Sequence, residues 1–345
     1  MSTRKPFEFF IQWHLTEACN LRCKHCYQGA RSAEEMPLSE IKKTVSEISD
    51  MITDWSEAYG VTFSRSMNIT GGEPFLRRDL FDILREIKNK GFEIFLLTNG
   101  TLVDRVRAQT LADLGVSGVQ VSMEGSEEVH DAIRGKGSYD AAVAGIEWLV
   151  DCGLDVTLNV TVSDLNAEQV RKVVTFGSHA GVRQVGFSRL VPAGQGAALL
   201  SEMLPKARLR ELYGELFSLE LNSLKIVTGD PVAAQMKIKW KGDAGNTAMS
   251  GCSAGVAGLT ILPSGDVMPC RRLPLTLGNV RKDSLREIWA TSPVLEALRD
   301  RSRYKGKCGT CDRWALCRGC RAIAYAWSRS RGEEDFLAED PQCFL

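Results

Sequence analysis

The sequence predicts an α/β protein in which a partial barrel of six strand–helix units precedes a small cysteine-rich domain. Two observations lead to this prediction. Six short β-rich runs alternate with amphipathic segments up to about residue 192, and ten of the eleven cysteines fall into one N-terminal and one C-terminal group. Alternating strands and helices favour a parallel sheet with right-handed crossovers. Six units are fewer than the eight of a closed barrel, so the sheet is expected to stay open.

Each predicted element has its own local signal. The strand-like runs are rich in β-branched and aromatic residues, and the segments between them carry apolar residues at helical spacing. The predicted strands are 9–16, 66–70, 93–98, 119–122, 155–162 and 184–190. The predicted helices are 38–55, 78–90, 101–114, 139–152, 167–180 and 202–221. Turn glycines mark several joins, namely Gly91, Gly115, Gly153 and Gly181. The resulting division is a barrel over 8–192, a connector with a helix over 193–250 and a cysteine-rich domain over 251–345.

Composition narrows the class of protein. The chain has 43 basic and 43 acidic residues and 44% hydrophobic residues, which is typical of a globular protein. This balance does not indicate broad attraction to nucleic acid or to a membrane, and no run approaches the length of a membrane span. The N-terminus lacks the pattern of a signal peptide, so a cytoplasmic location is expected. In that reducing compartment, eleven cysteines favour metal or redox chemistry over disulfides.

The N-terminal cysteines have the spacing of a cluster-binding loop. Cys19, Cys23 and Cys26 lie within eight residues in the order C-x3-C-x2-C. Three thiolates can hold three irons of a [4Fe–4S] cluster and leave the fourth iron open to a small molecule. A structural zinc site is the alternative.

This loop resembles that of the radical S-adenosylmethionine (SAM) superfamily, with His25 in the position usually held by an aromatic residue. The resemblance implies a partial (β/α)6 barrel, SAM bound to the open iron, and reductive cleavage of SAM to methionine and a 5′-deoxyadenosyl radical. The stretch 71–74, Gly-Gly-Glu-Pro, follows the second predicted strand and resembles the family motif that receives the ammonium group of SAM.

Further SAM contacts are expected where the later strands end. The stretch 130–135 resembles the HDxxRG motif, whose arginine binds the SAM carboxylate in two-point geometry. The resemblance implies SAM contacts at Tyr27, Gly71, Gly72, Glu73, Thr98, Ser122, Glu124, Arg134, Asn159 and Arg189. For the outer positions, turn formation or a surface ion pair is the alternative.

The C-terminal cysteines, together with a hairpin pattern over 261–270, resemble the SPASM extension of radical SAM enzymes, which carries auxiliary iron–sulfur clusters. The resemblance implies an outer cluster on Cys308, Cys311, Cys317 and Cys343. It implies an inner cluster on Cys252, Cys270 and Cys320. Seven thiolates are one short of two full sets, so the inner cluster has an open iron or a non-cysteine ligand. Three [4Fe–4S] clusters and SAM are therefore expected, with zinc ribbons as the alternative for this domain.

The substrate is predicted less directly. The leading hypothesis is a maturase that forms a thioether or carbon-centred crosslink in a ribosomal peptide. Because no leader-binding domain precedes Cys19, the peptide is expected to bind directly or through a separate leader-recognition protein. An electron donor such as ferredoxin or flavodoxin is also expected. Tyr27, Tyr304 and Glu124 are candidate acids or bases, and none is assigned that role.

Three alternatives to peptide crosslinking remain open. One is a tetrapyrrole side-chain enzyme such as a haem-pathway decarboxylase. Another is protein oxidation of the sulfatase-maturing type, although Arg271 stands where that branch needs an acidic residue. The third is an electron carrier or cluster scaffold without enzymatic activity. A solvated face is the expected setting of Arg271, Arg272 and the basic run 299–307, and the alternative is that they raise cluster potentials or receive an acidic substrate.

Overall fold

The structure is a computed structural model that describes residues 6–29, 34–221, 223–238 and 245–345. Within these ranges the strands are β1 Phe7–His14, β2 Phe63–Thr70, β3 Glu93–Thr98, β4 Gly118–Ser122, β5 Val156–Val162, β6 Gln184–Arg189, β7 Lys225–Thr228, β8 Gly258–Ile261, β9 Asp266–Met268 and β10 Gly278–Asn279. The α-helices are α1 Leu38–Tyr59, α2 Leu80–Asn89, α3 Arg105–Asp113, α4 Glu127–Arg134, α5 Ser138–Asp151, α6 Val170–His179, α7 Lys206–Ser218, α8 Pro231–Ala234, α9 Leu285–Thr291, α10 Pro293–Arg299, α11 Gly306–Thr310 and α12 Arg321–Ser330. Short 3-10 helices span Pro74–Leu76, Ala167–Gln169, Gly194–Glu202, Arg301–Arg303 and Trp314–Leu316.

The strands form one sheet in the order β10-β9-β8-β1-β2-β3-β4-β5-β6-β7. From β1 to β7 every neighbouring pair is parallel, which confirms the predicted α/β fold. The six predicted strands correspond to β1–β6. Helix α4 was not predicted, because its eight residues are too few to establish a clear period.

The helices form where the sequence pattern places apolar residues on one side. In α1, Ile41, Val45, Ile48 and Ile52 recur every three or four residues and are buried in the core. The helix ends at Gly60, whose φ of 60° closes it in the left-handed conformation. The four glycines predicted to mark turns also have positive φ, between 66° and 77°.

The sheet continues beyond the six predicted strands at both edges. Strand β7 pairs with β6, and the β8–β9 hairpin joins the opposite edge through β1. Ile11 lies opposite Leu259 and Trp13 opposite Ile261 in this pairing, and these four side chains are buried. The hairpin over 261–270 was predicted, but its pairing with β1 was not. This pairing brings Cys270, two residues after β9, to the barrel. In the described part of the chain, no helix combines the length and apolar character that crossing a membrane requires.

Candidate active site

The three N-terminal cysteines line one cavity at the carboxyl ends of the parallel strands. Cys19, Cys23 and Cys26 lie in the loop after β1, and the ends of β2 and β3 contribute Thr70 and Thr98 to the same cavity. Together with its mouth, which is open to solvent, the cavity has about 940 Å³ of space free of protein atoms. Within the described ranges, no group of three or more His, Cys, Asp or Glu side chains is close enough to hold a single metal ion.

The two glycines after β2 hold the cysteine loop in place. The backbone N–H of Gly72 donates to Thr16 O, and that of Glu73 donates to Ala18 O, each over 2.8 Å. A Cβ atom on Gly72 would lie 2.3 Å from Ala18 O, and one on Gly71 would lie 2.5 Å from Thr16 O. Because side chains at these positions would collide with the backbone, glycine is required for the loop to approach β2.

A buried ion pair positions the cation nearest to the cysteines. Arg134 Nε donates to Glu124 Oε1 over 2.9 Å, and Arg134 Nη1 lies 3.8 Å from Cys23 Sγ. His25 Nε2 lies 3.0 Å from the same Glu124 oxygen. Burial alone would raise the pKa of Glu124, but Arg134 and His25 outweigh it and hold the pKa well below its usual range. Glu124 thus remains ionised and orients Arg134, while burial raises the pKa of Cys23.

The four cysteines predicted for the outer cluster line a second cavity. Its wall contains Arg318 besides Cys308, Cys311, Cys317 and Cys343. Together with its mouth, which is open to solvent, this cavity has about 860 Å³ of space free of protein atoms. Arg318 is 1% exposed, and its Nε and Nη1 atoms have no hydrogen-bond partner among the described residues. A buried guanidinium without an acid partner is costly unless an anion compensates it. A [4Fe–4S] cluster on four thiolates is such an anion, so these residues fit the group.

The three cysteines predicted for the inner cluster are also brought together. Cys320 interacts electrostatically with Cys252 and with Arg272, and Arg272 also interacts with Cys270. Burial raises the pKa of Cys320 to about 12, although Arg272 opposes this shift. Deprotonating this thiol requires further positive charge, which a bound iron cluster would supply. These residues therefore fit an iron–sulfur group as well.

Comparison with known families agrees with this arrangement. The family model of the radical SAM superfamily matches residues 13–177, and that of the SPASM iron–sulfur cluster-binding domain matches residues 252–321. The chain belongs to the radical SAM superfamily. It is 31% identical to the AdoMet-dependent heme synthase of Methanosarcina barkeri, over 96% of this chain and 95% of the relative.

Two other relatives of this radical SAM protein have different names. It is 31% identical to the pre-heme d1 synthase of Dinoroseobacter shibae, over 99% of this chain and 87% of the relative. It is 30% identical to the mycofactocin maturase MftC of Mycolicibacterium smegmatis, over 91% of this chain and 78% of the relative. The structure of Streptococcus suis SuiB bound to S-adenosylmethionine is similar with a TM-score of 0.77, covering 98% of this chain and 78% of SuiB at 18% identity. That likeness identifies the fold.

Eight of the ten predicted SAM contacts line the cavity of the radical SAM cysteines. They are Tyr27, Gly71, Gly72, Thr98, Ser122, Arg134, Asn159 and Arg189. The two exceptions, Glu73 and Glu124, are fully buried and do not belong to its wall. Glu124 contributes indirectly, through its hydrogen bonds to Arg134 and His25.

Glu73 differs most from its predicted role as a direct SAM contact. Its carboxylate accepts hydrogen bonds from Thr98 Oγ1 and Asn99 N over 2.8 Å and from Phe75 N over 3.2 Å. Burial raises the pKa of Glu73 to about 7, although these donors oppose the shift. The carboxylate therefore ties the loop after β2 to the end of β3.

Arg189 lines the cavity, but its charge is already matched within the protein. Its Nη1 and Nη2 atoms donate to the two oxygens of Asp340 over 2.8 Å, and Nε donates to Asp230. Sequence reasoning missed both acids, because Asp340 lies 151 residues from Arg189 and no local pattern marks it. The predicted SAM contact thus also joins the barrel to the C-terminal segment.

A third cavity occupies the barrel lumen behind the radical SAM cysteines. Together with its mouth, which is open to solvent, it has about 1250 Å³ of space free of protein atoms. It shares Leu97, Gln120, Arg271 and Arg272 with the cysteine cavity, so the two cavities meet at these residues. For Arg271 and Arg272 the sequence favours a solvated face over a functional role. The structure places both in the cavity walls. Much of the basic run 299–307, by contrast, is paired at the surface, as Arg303–Glu296 and Lys305–Asp335 illustrate.

Proposed function

We propose that this radical SAM enzyme modifies the propionate side chains of an iron tetrapyrrole, most simply by oxidative decarboxylation to vinyl groups. One observation carries the proposal. The barrel lumen is a large cavity that meets the cysteine cavity at two arginines, and neither arginine has an acidic hydrogen-bond or ion-pair partner among the described residues. A cavity with cationic groups at its inner end suits a substrate that carries carboxylates.

The rest of the lumen supports the same class of substrate. Phe10, Phe95 and Leu259 give it apolar surface, and Gln12 and Asn68 give it neutral hydrogen-bonding groups. Iron coproporphyrin III presents broad apolar faces and carboxylates around its periphery. The lumen combines apolar side chains and neutral polar groups with charged side chains at Arg271 and Arg272 and at the Arg183–Asp155 pair, which suits that distribution better than a uniformly apolar pocket.

The relatives also favour this substrate over peptide crosslinking. A heme synthase and a pre-heme d1 synthase are each 31% identical to nearly the whole chain. A peptide maturase, which is the leading hypothesis from the sequence alone, thus becomes the second candidate. The 30% identity to a mycofactocin maturase supports it.

The atoms and electrons of the proposed reaction balance if the three groups of cysteines each hold an iron–sulfur cluster. SAM and the cluster on Cys19, Cys23 and Cys26 supply a 5′-deoxyadenosyl radical when bound. A hydrogen atom leaves the propionate carbon attached to the pyrrole ring and is taken up by the 5′-deoxyadenosyl radical. The bond between the second propionate carbon and the carboxylate then breaks to release CO₂, and the vinyl double bond forms. The one electron released in this step would be accepted by an iron–sulfur cluster that the C-terminal cysteines would hold. The inner cysteines suit this step because Cys270 itself lines the lumen.

This chain's residues would bind and orient the reactants. Arg134, held by Glu124, offers a guanidinium fork to the SAM carboxylate. A guanidinium at the junction of the two cavities would receive a substrate carboxylate. We further propose a ferredoxin or flavodoxin as the electron donor, a cytoplasmic location, and the domain division 8–192, 193–250 and 251–345.

The test is to add iron coproporphyrin III, SAM and a reductant to the anaerobically reconstituted protein. We expect a shift of the porphyrin visible band on binding, release of 5′-deoxyadenosine, and a product lighter by CO₂ and two hydrogens for each propionate. An iron porphyrin without carboxylates, octaethylporphyrin, is the matched control and should give no product. Binding without turnover, or equal binding of the control, would contradict the proposal. Product from a candidate precursor peptide instead would favour the maturase.

A further inference from the structure

We propose that Arg271 is the specificity-determining residue of the lumen: its guanidinium binds the reacting carboxylate of the substrate, whereas the neighbouring Arg272 serves the inner cysteines. This inference rests on the proposed function and assigns separate tasks to two adjacent arginines that look equivalent in sequence. It names the chemical group that the site selects, a carboxylate at the junction of the two cavities.

The position of Arg271 is the first argument. It follows Cys270, which lies just after the β8–β9 hairpin. Because β8 pairs with β1, this hairpin brings a residue of the cysteine-rich domain into the barrel. Arg271 lines both the cysteine cavity and the lumen. A carboxylate bound there would lie between the radical SAM cysteines and the inner cysteines, where hydrogen abstraction and electron removal both have to occur.

The second argument is how the neighbours hold the Arg271 side chain. Its guanidinium carbon lies 5.7 Å from the centre of the Tyr27 ring, in a cation–π contact. The Tyr27 hydroxyl in turn lies 3.5 Å from His14 Nε2. His14 is buried and Tyr27 is partly buried, so Arg271 rests on side chains that are themselves packed against the protein. A pre-positioned fork binds a carboxylate at two points without first ordering a flexible chain.

The third argument is charge. Among the described residues, Arg271 has no hydrogen bond or ion pair, so its guanidinium remains available to a ligand. Arg272 differs, because it lies among the thiols of Cys270 and Cys320 and its Nε atom is buried without a hydrogen-bond partner in the described chain. An anionic cluster on those thiols would supply the missing partner of Arg272. Arg271 interacts electrostatically with Cys270 alone among these thiols, whereas Arg272 interacts with both Cys270 and Cys320 and also with Asp230, so Arg271 is the arginine with more of its charge left for a substrate carboxylate.

The experiment compares three variants of the reconstituted protein: Arg271→Gln, Arg271→Lys and Arg272→Gln. Ferric coproporphyrin III is titrated against each, and the dissociation constant (Kd) is read from the visible band. We expect R271Q to raise Kd roughly ten- to a hundredfold, because a charge-assisted hydrogen-bonded contact is lost. R271K should bind with intermediate affinity, since it keeps the charge and loses the fork. R272Q should keep Kd within about twofold, while the inner cluster shifts in reduction potential or is lost, as iron content and redox titration would detect.

Any of the following results would contradict a particular part of the inference. Unchanged Kd in R271Q at full iron content overturns the role of Arg271 and leaves the proposed function standing. Loss of iron in R271Q comparable with R272Q means that both arginines serve the cysteines, which also overturns the division. If R271Q does not fold, an R271K affinity equal to wild type overturns the two-point contact. Failure of the wild type to bind the porphyrin overturns the proposed function itself.

Discussion

Arg189 and Asp340 form a two-point ion pair that joins the barrel to the C-terminal segment. Arg189 Nη1 and Nη2 each lie 2.8 Å from one oxygen of Asp340, and neither side chain is more than 1% exposed. Asp340 Oδ2 also accepts from the backbone N–H of Cys320 over 2.7 Å. The end of β6 is thereby linked to a cysteine proposed to hold the inner cluster.

Replacing Asp340 by Asn should therefore destabilise the protein strongly. Breaking a buried pair leaves a charge without its partner, and we expect a loss of about 3 kcal/mol in the free energy of unfolding, since Asp230 still neutralises part of the Arg189 charge. Urea unfolding measures this loss. The control is Asp54→Asn, which breaks an exposed pair with Arg286 and should cost at most about 1 kcal/mol. Equal losses in the two variants would contradict the assigned role of the buried pair.

Glu73 should make stability fall as pH rises. Burial raises the pKa of its carboxyl to about 7 in the folded protein, from 4.5 for the ordinary group. A group with a raised folded pKa contributes stability that is fully present below the unfolded pKa and is lost as pH rises through the folded pKa. The difference in free energy of unfolding between wild type and Glu73→Gln should thus decrease by ~3 kcal/mol from pH 4 to pH 8. A difference that stays constant across urea titrations in this pH range would contradict the assignment.

The cysteine groups make a prediction about iron content. Replacing Cys19, Cys23 and Cys26 by Ala should lower the iron of the anaerobically reconstituted protein from roughly 12 to roughly 8 per chain, because one cubane of three is lost. Replacing the four outer cysteines should give roughly 8 as well, which distinguishes independent clusters from a shared one. About 4 irons in the wild type, with zinc retained by the C-terminal cysteines, would mean that the SPASM cysteines are structural.

Local patterns were enough to predict the barrel. The helical spacing of Ile41, Val45, Ile48 and Ile52 predicted α1, and short β-branched runs predicted β1–β6. These signals are reliable because each element must bury one side regardless of what covers it. The spacing of the cysteines was equally local, so both groups could be identified before the fold was known.

Relationships between distant segments could not be predicted in this way. A periodic pattern shows that Leu259 and Ile261 are buried, but not that β1 is the strand beside them. The same limit applies to Arg189, predicted as a SAM contact without its partner Asp340. Glu73 shows a third kind of limit, because the motif predicts where the backbone turns and not which way the carboxylate points. Its direction depends on donors at the end of β3.

Arg318 should raise the reduction potential of the outer cluster. It is buried among Cys308, Cys311, Cys317 and Cys343, and positive charge stabilises the reduced form of a cluster.

The backbone of Arg318 has a φ of 62°, a left-handed conformation that costs a residue with a side chain about 1–2 kcal/mol. The variant Arg318→Gly therefore relieves this strain and also removes the charge. We expect both Arg318→Gln and Arg318→Gly to lower the potential in a redox titration followed by electron paramagnetic resonance, because the charge and not the strain is responsible. Arg313→Gln is the control: Arg313 lines the same cavity but is partly exposed, so solvent screens its charge and we expect a smaller shift in potential than for Arg318. Unchanged potentials at full iron content in both Arg318 variants would refute this role.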